Sequence, residues 1–199
     1  MRRTLYSTTA ALVLFAAPAF GQATGVPSFN APYRAFDQYE FGGTFTLPNG
    51  PPEWSAEGQF RFGYERFDIG ARGGVLRTEI GGVSSTDLIL GVEARTRVLE
   101  HTEGIPVDLA AIVGFGTFEF DSWLVPVGLS IGRRVDLDGF SFVAYTQPTL
   151  FMSFNGGSDV NFGLGFGADF RVQEALDLRV SVGILDGPEG LGVSLVWIR

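Results

Sequence analysis

Residues 161–172 read NFGLGFGADFRV, and the order of residue types in them decides the fold. Along an extended strand, successive side chains leave opposite faces. Phe162, Leu164, Phe166, Ala168, Phe170 and Val172 then share one face, and Asn161, Gly163, Gly165, Gly167, Asp169 and Arg171 share the other. Glycines at every second position do not form a phosphate-binding loop, in which glycines open a helix after a strand.

The same period of two recurs on both sides of this stretch. In YEFGGTFTL (39–47), Tyr39, Phe41, Phe45 and Leu47 oppose Glu40, Thr44 and Thr46. In 57–76, Phe60, Phe62, Tyr64, Phe67, Ile69, Ala71 and Val75 oppose Gln59, Arg61, Glu65, Asp68 and Arg72, with a tight turn around Arg66. DLILGVEARTRVL (87–99) sets Leu88, Leu90, Val92, Ala94 and Val98 against Glu93, Arg95 and Arg97. Its second half contains good helix formers, but Gly91, Thr96 and the unbroken alternation favour a strand. VDLAAIVGFGTFEF (107–120), WLVPVGLSIGRRV (123–135), ALDLRVSVGIL (175–185) and LGVSLVWIR (191–199) continue the pattern. GFSFVAYTQPTLFMSF (139–154) is the least regular, and Pro148 predicts a bulge or a local loss of pairing there. The result is about ten strands, with eight as the alternative, joined mostly by short turns in an up-and-down antiparallel meander.

Composition restricts what such a meander can do. The chain has 199 residues, 28 Gly, 19 Phe and no Cys, so it has no disulfide framework, thiolate metal site or lipid-modified cysteine. All 14 basic residues are Arg, and against 22 acidic residues they leave a formal charge of −8. Arginines spread thinly among carboxylates argue against a nucleic-acid partner.

The N-terminus has Arg2 and Arg3, an apolar run from Ala10 to Phe20 broken by Pro18, and then small residues, the pattern of a secretory signal peptide. Cleavage is expected after Gly21 or Ala23. The domain reading is a signal peptide over 1–23, a periplasmic tail over 24–38, where no period is visible, and a barrel over 39–199.

A soluble sandwich shares this alternation, so the second face has to choose between them. That face carries many Gly with Asp, Glu and Arg of both signs. A strand facing open water gains nothing from Gly, which weakens it. Inside a narrow closed barrel, Gly leaves room for long charged side chains while apolar groups point outward into lipid. Candidate lumen residues are Glu93, Arg95, Arg97, Arg61, Arg72, Arg134, Asp169, Arg171, Asp177 and Arg179, together with Glu40, Glu65, Asp68 and Asp108. Tyr39, Trp54, Tyr64, Phe118, Phe120, Trp123, Phe140, Phe154 and Trp197 lie near segment ends, as interfacial girdles require.

From VGLSIGRR (127–134) through NFGLGFGADFRV to LGVSLVWIR, the chain resembles the small outer-membrane β-barrel proteins of Gram-negative-type bacteria, the OmpA-like and porin-like group. The resemblance implies a transmembrane barrel in outer-membrane lipid, delivered by the barrel-assembly machinery. In that family the last strand carries an assembly signal, which Gly192, Leu195 and Trp197 match before the chain continues with Ile198 and Arg199. It also implies periplasmic termini.

No cofactor, metal site or catalytic group is expected. His101, the only histidine, falls on a turn at the periplasmic end. Asn155, Ser158 and Asp159 suit a turn better than a calcium site. The balanced lumen charges read either as a pore lining for small solutes or as an ion-pair network holding a narrow barrel shut. The other readings are a barrel enzyme acting on lipid or peptide, and an exported soluble lipocalin-like barrel with an apolar lumen.

Overall fold

The computed structural model describes residues 23–32, 38–50 and 52–199. Ten strands follow in chain order: β1 Tyr39–Pro48, β2 Pro52–Tyr64, β3 Phe67–Ile80, β4 Val83–Leu99, β5 Asp108–Phe118, β6 Ser122–Leu137, β7 Phe140–Phe154, β8 Ser158–Gln173, β9 Leu176–Leu185 and β10 Gly190–Ile198. Each pairs antiparallel with its chain neighbours, and β10 closes on β1 with Trp197 opposite Phe41. The protein is therefore an up-and-down barrel of ten strands, not eight. Closure leaves no strand edge unpaired.

Short connections enforce this order, since antiparallel neighbours need only a tight turn. Between β3 and β4 the turn is Gly81-Gly82, with φ of +61° and +82°, the left-handed pair that a two-residue hairpin demands. Residues 93–99, where a helix competed, belong to β4. At Pro148 the effect is a local loss of pairing. The β6–β7 ladder skips from Gly128↔Thr149 to Ile131↔Thr146 in unchanged register, while Pro148 still pairs with Leu164 on β8. A second gap, between Val113↔Val127 and Gly116↔Leu124, spans Pro126, which also lacks an N–H to give.

The two faces separate as the alternation requires. Phe60, Val92, Phe115, Leu150, Phe166 and Val193 are exposed on the outside, with Phe60 at 50%. Arg61, Glu93, Asp169 and Arg179 point inward and are buried, Arg179 to 1% exposure. Aromatic pairs mark both ends of the outer surface. Phe41–Trp197 and the Phe140–Phe142–Phe170 group lie toward the chain-terminal end, and Phe45–Trp54 and Phe115–Trp123 toward the other. Phe118 differs from the other girdle candidates, being half buried against Val26, Leu76 and Ile89.

Residues 23–32, which fall in the stretch read from sequence as an aperiodic tail, lie inside the barrel and are fully buried. Residues 1–22, which hold nearly all of the expected signal peptide, are outside the described residues.

Candidate functional site

The lumen is the candidate site, and its chemistry follows from register. Asp68 on β3 faces Arg95 on β4, and Asp169 on β8 faces Arg179 on β9, so opposite charges meet directly across neighbouring strands. Arg95 Nε and Nη2 lie 2.9 and 2.8 Å from Asp68 Oδ2. Arg61 joins them, pairing with both Asp68 and Glu93. Arg179 bridges Asp169 at 3.0 Å and Glu40 of β1 at 3.1 Å. Arg72 stands 3.5 Å from Glu57. Arg171 Nε donates to Asp177 at 2.5 Å nearer the chain-terminal end, where Arg171 is half exposed. Removing these charges from water is costly, and pairing is what makes their burial tolerable.

Toward the opposite end the lining becomes apolar. Leu76, Ile89, Leu124 and Phe151 point inward there, and Val26 packs against Leu76 and Ile89. Hydroxyl pairs line β1 and its neighbours, with Thr44 Oγ1 donating to Ser194 Oγ at 2.9 Å and Thr46 and Ser55 2.7 Å apart.

The segment 23–32 runs through this charged interior. Arg179 Nη1 donates to Asn30 Oδ1 at 2.5 Å, and Asn30 Nδ2 donates to Glu93 Oε1 at 3.0 Å. The Phe29 ring fills the space in front of Gly165, where an added Cβ would collide with it, while at Gly183 the Pro188 carbonyl is the obstacle and the Phe29 ring stands behind it at 3.3 Å. Gly91, Gly114 and Gly116 likewise accommodate Ala23, and Gly167 accommodates the Tyr145 ring. From sequence, the inward glycines are expected to leave space for reaching charges. Gly70, against the Arg61 guanidinium, fits that reading, but most inward glycines make room for rings and for the inner segment.

Of the candidates named from sequence, Glu93, Arg95, Arg61, Arg72, Asp169, Asp177 and Arg179 are buried in the lumen. Arg171 and Arg97 are half buried, Arg97 pairing with Glu100 at 3.2 Å. Arg134 has inward parity but lies at the rim, its side chain 56% exposed and its Nε 2.8 Å from Asp136. Glu40, Asp68 and Asp108 are buried too, whereas Glu65 is an exposed turn residue. Glu57, Tyr145 and residues 23–32 were not singled out. Strand parity could have found Glu57 and Tyr145, but no periodic signal marks the inner segment.

His101 is exposed in the β4–β5 connection, and its backbone N–H donates to Asp108 at 2.9 Å. Asn155 lies in the β7–β8 turn, whereas Ser158 and Asp159 open β8, where Asp159 accepts from Val160 N at 2.9 Å. Among the described residues no cluster of three His, Cys, Asp or Glu could hold a metal ion. On the last strand, Leu195 and Trp197 face outward, and Gly192 faces inward against the Pro27 carbonyl.

By fold and site, the chain is a closed ten-stranded β-barrel with an apolar exterior and a charged, filled interior. No protein-family model matches it, and no curated protein matches it either.

Proposed function

We propose that the protein is an integral barrel of the bacterial outer membrane with a structural or small-solute permeation role and no catalytic activity. The observation that carries this reading is the inversion of polarity around the barrel. Large apolar side chains are exposed on every strand, while among the described residues seven carboxylates and four arginines are buried inside. A water-soluble barrel has no means to tolerate an apolar surface that encircles it, because patches far smaller already drive association. In a bilayer the same surface is solvated by lipid, and closure satisfies the backbone. Strands of 9 to 17 residues are long enough to span a bilayer when tilted.

The lipocalin-like alternative needs an apolar lumen, and the buried charges count against it. An enzyme of the outer surface needs reacting groups at one barrel end, and His101, the sole histidine, belongs to a turn on the chain-terminal side. Cell fractionation combined with a heat-modifiability gel tests the proposal. Recovery in the outer membrane with a fast-migrating unheated band is the expected outcome, and full recovery in the soluble fraction without detergent sinks it.

A further inference from the structure

The inner segment is held in an unusual way, chiefly through its backbone. Five consecutive carbonyls each accept a hydrogen bond from a side chain on a different strand. Ser181 of β9 donates to Pro27 O at 2.8 Å, and Arg72 of β3 to Ser28 O at 3.1 Å. Tyr145 of β7 donates to Phe29 O at 2.8 Å, Ser130 of β6 to Asn30 O at 2.8 Å, and Arg95 of β4 to Ala31 O at 2.6 Å. Donors converging from around the wall on a row of carbonyls form a receptor for a peptide backbone that turns at Pro27, where Ser28 N–H donates to Val26 O at 2.7 Å. Two further features read side chains. Arg179 and Glu93 together match a primary amide, giving a donor to its oxygen and an acceptor to its nitrogen. The slot in front of Gly165 takes an aromatic ring one residue earlier.

We propose that the lumen is a binding site for a short peptide carrying an aromatic-asparagine pair, filled in cis by residues 27–31, and that solutes pass only when this segment leaves. The proposal rests on the membrane-barrel reading for its transport half alone; occupancy of the site does not depend on it. The segment neither continues the sheet nor covers an end. It occupies the cross-section where Arg72, Arg95, Arg179 and Glu93 converge, so its departure frees both volume and hydrogen-bonding groups along one path.

Two measurements test the two halves separately. The chain has no cysteine, so Thr24→Cys in the otherwise intact, detergent-folded protein reports burial of the segment. Labelling by a small thiol reagent is expected to be about a hundredfold slower than in the unfolded chain, as for a site that reacts only on local opening. The pair Phe29→Ala with Asn30→Ala should abolish that protection while the heat-modifiable band persists. Equally fast labelling in the folded parent and the unfolded chain overturns the in-cis site, whether or not the protein enters membranes. In planar bilayers, the double variant is expected to raise the open fraction over the parent by about tenfold or more. Added synthetic peptide GVPSFNAP should close it again, and the same peptide with Ala at the Phe and Asn positions should not. Equal conductance of parent and double variant, or indifference of the open variant to the peptide, overturns the gating half. Failure of both proteins to insert would instead count against the membrane reading, with the labelling result still deciding occupancy.

Discussion

Asp68 and Arg95 stand directly opposite one another on β3 and β4, and the guanidinium places Nε and Nη2 within 2.9 and 2.8 Å of one carboxylate oxygen. Asp68 is also the partner of Arg61, so one carboxylate holds two buried guanidinium groups. Asp68→Asn keeps the shape and removes the charge that the two cations share. The expected cost is about 3–5 kcal/mol, the range for breaking a buried pair from one side. Urea titration of the folded, heat-modifiable band measures it. Replacing Asp68 and Arg95 together by Ala should cost less than the sum of the single changes, because the double variant leaves one fewer uncompensated charge.

A second expectation concerns Gly165. An added Cβ there would lie 2.5 Å from the Phe29 ring, closer than side chains approach. Gly165→Ala should destabilise the folded barrel by about 1–3 kcal/mol, the usual penalty of overpacking. Phe29→Ala should remove most of that penalty, since the obstacle is the ring and not the wall. Gly58, whose added Cβ would meet only a carbonyl 3.9 Å away, supplies the control: Gly58→Ala is expected to be tolerated. The same urea titration, run on the four variants, gives the result.

The wall of the barrel was legible in the sequence because strand parity is a strict code. Once Phe162 and Phe166 face out, Asp169 and Arg171 must face in, but the pairing of Asp169 with Arg179 also needs the register shift between Arg171 and Gln173, without which the β8–β9 turn would set Asp169 opposite Val180. Arg134 obeys the same parity and still misses the lumen core, because parity fixes direction and not depth: it stands near the end of β6, where the wall gives way to solvent. Residues 23–32 escaped for a different reason. They bond through carbonyls, which every residue carries, and they fit against glycines whose emptiness names no partner. Gly165 records in the sequence that something fills the lumen, but only the fold identifies it as Phe29.

The apolar exterior yields a test that separates lipid from water. Val92 is exposed midway along β4, and Val83 is exposed at the hairpin end of the same strand. If the exterior meets hydrocarbon, Val92→Arg costs about 2–4 kcal/mol on folding into lipid vesicles, while Val83→Arg near the interface costs at most about 1 kcal/mol. In water, neither position should discriminate against arginine. Vesicle folding yields under increasing urea compare the two, and equal tolerance at both sites would count against a bilayer around β4.

The last strand permits a test of assembly as distinct from packing. Trp197 stacks on Phe41 with ring centroids 5.8 Å apart and planes 13° from parallel, across the seam where β10 closes on β1. Phe41→Ala and Trp197→Ala destroy the same ring pair, whose contribution beyond buried area is about 0.5–1.5 kcal/mol. Refolded in detergent, the two variants should therefore lose stability to a similar extent. In cells they should differ. If Gly192, Leu195 and Trp197 form the signal by which assembly machinery takes up the barrel, Trp197→Ala lowers the amount of folded protein in the outer membrane several-fold more than Phe41→Ala. Comparing that yield with the detergent stabilities separates the roles: equal losses in cells would reduce Trp197 to one half of an aromatic stack at the closing seam.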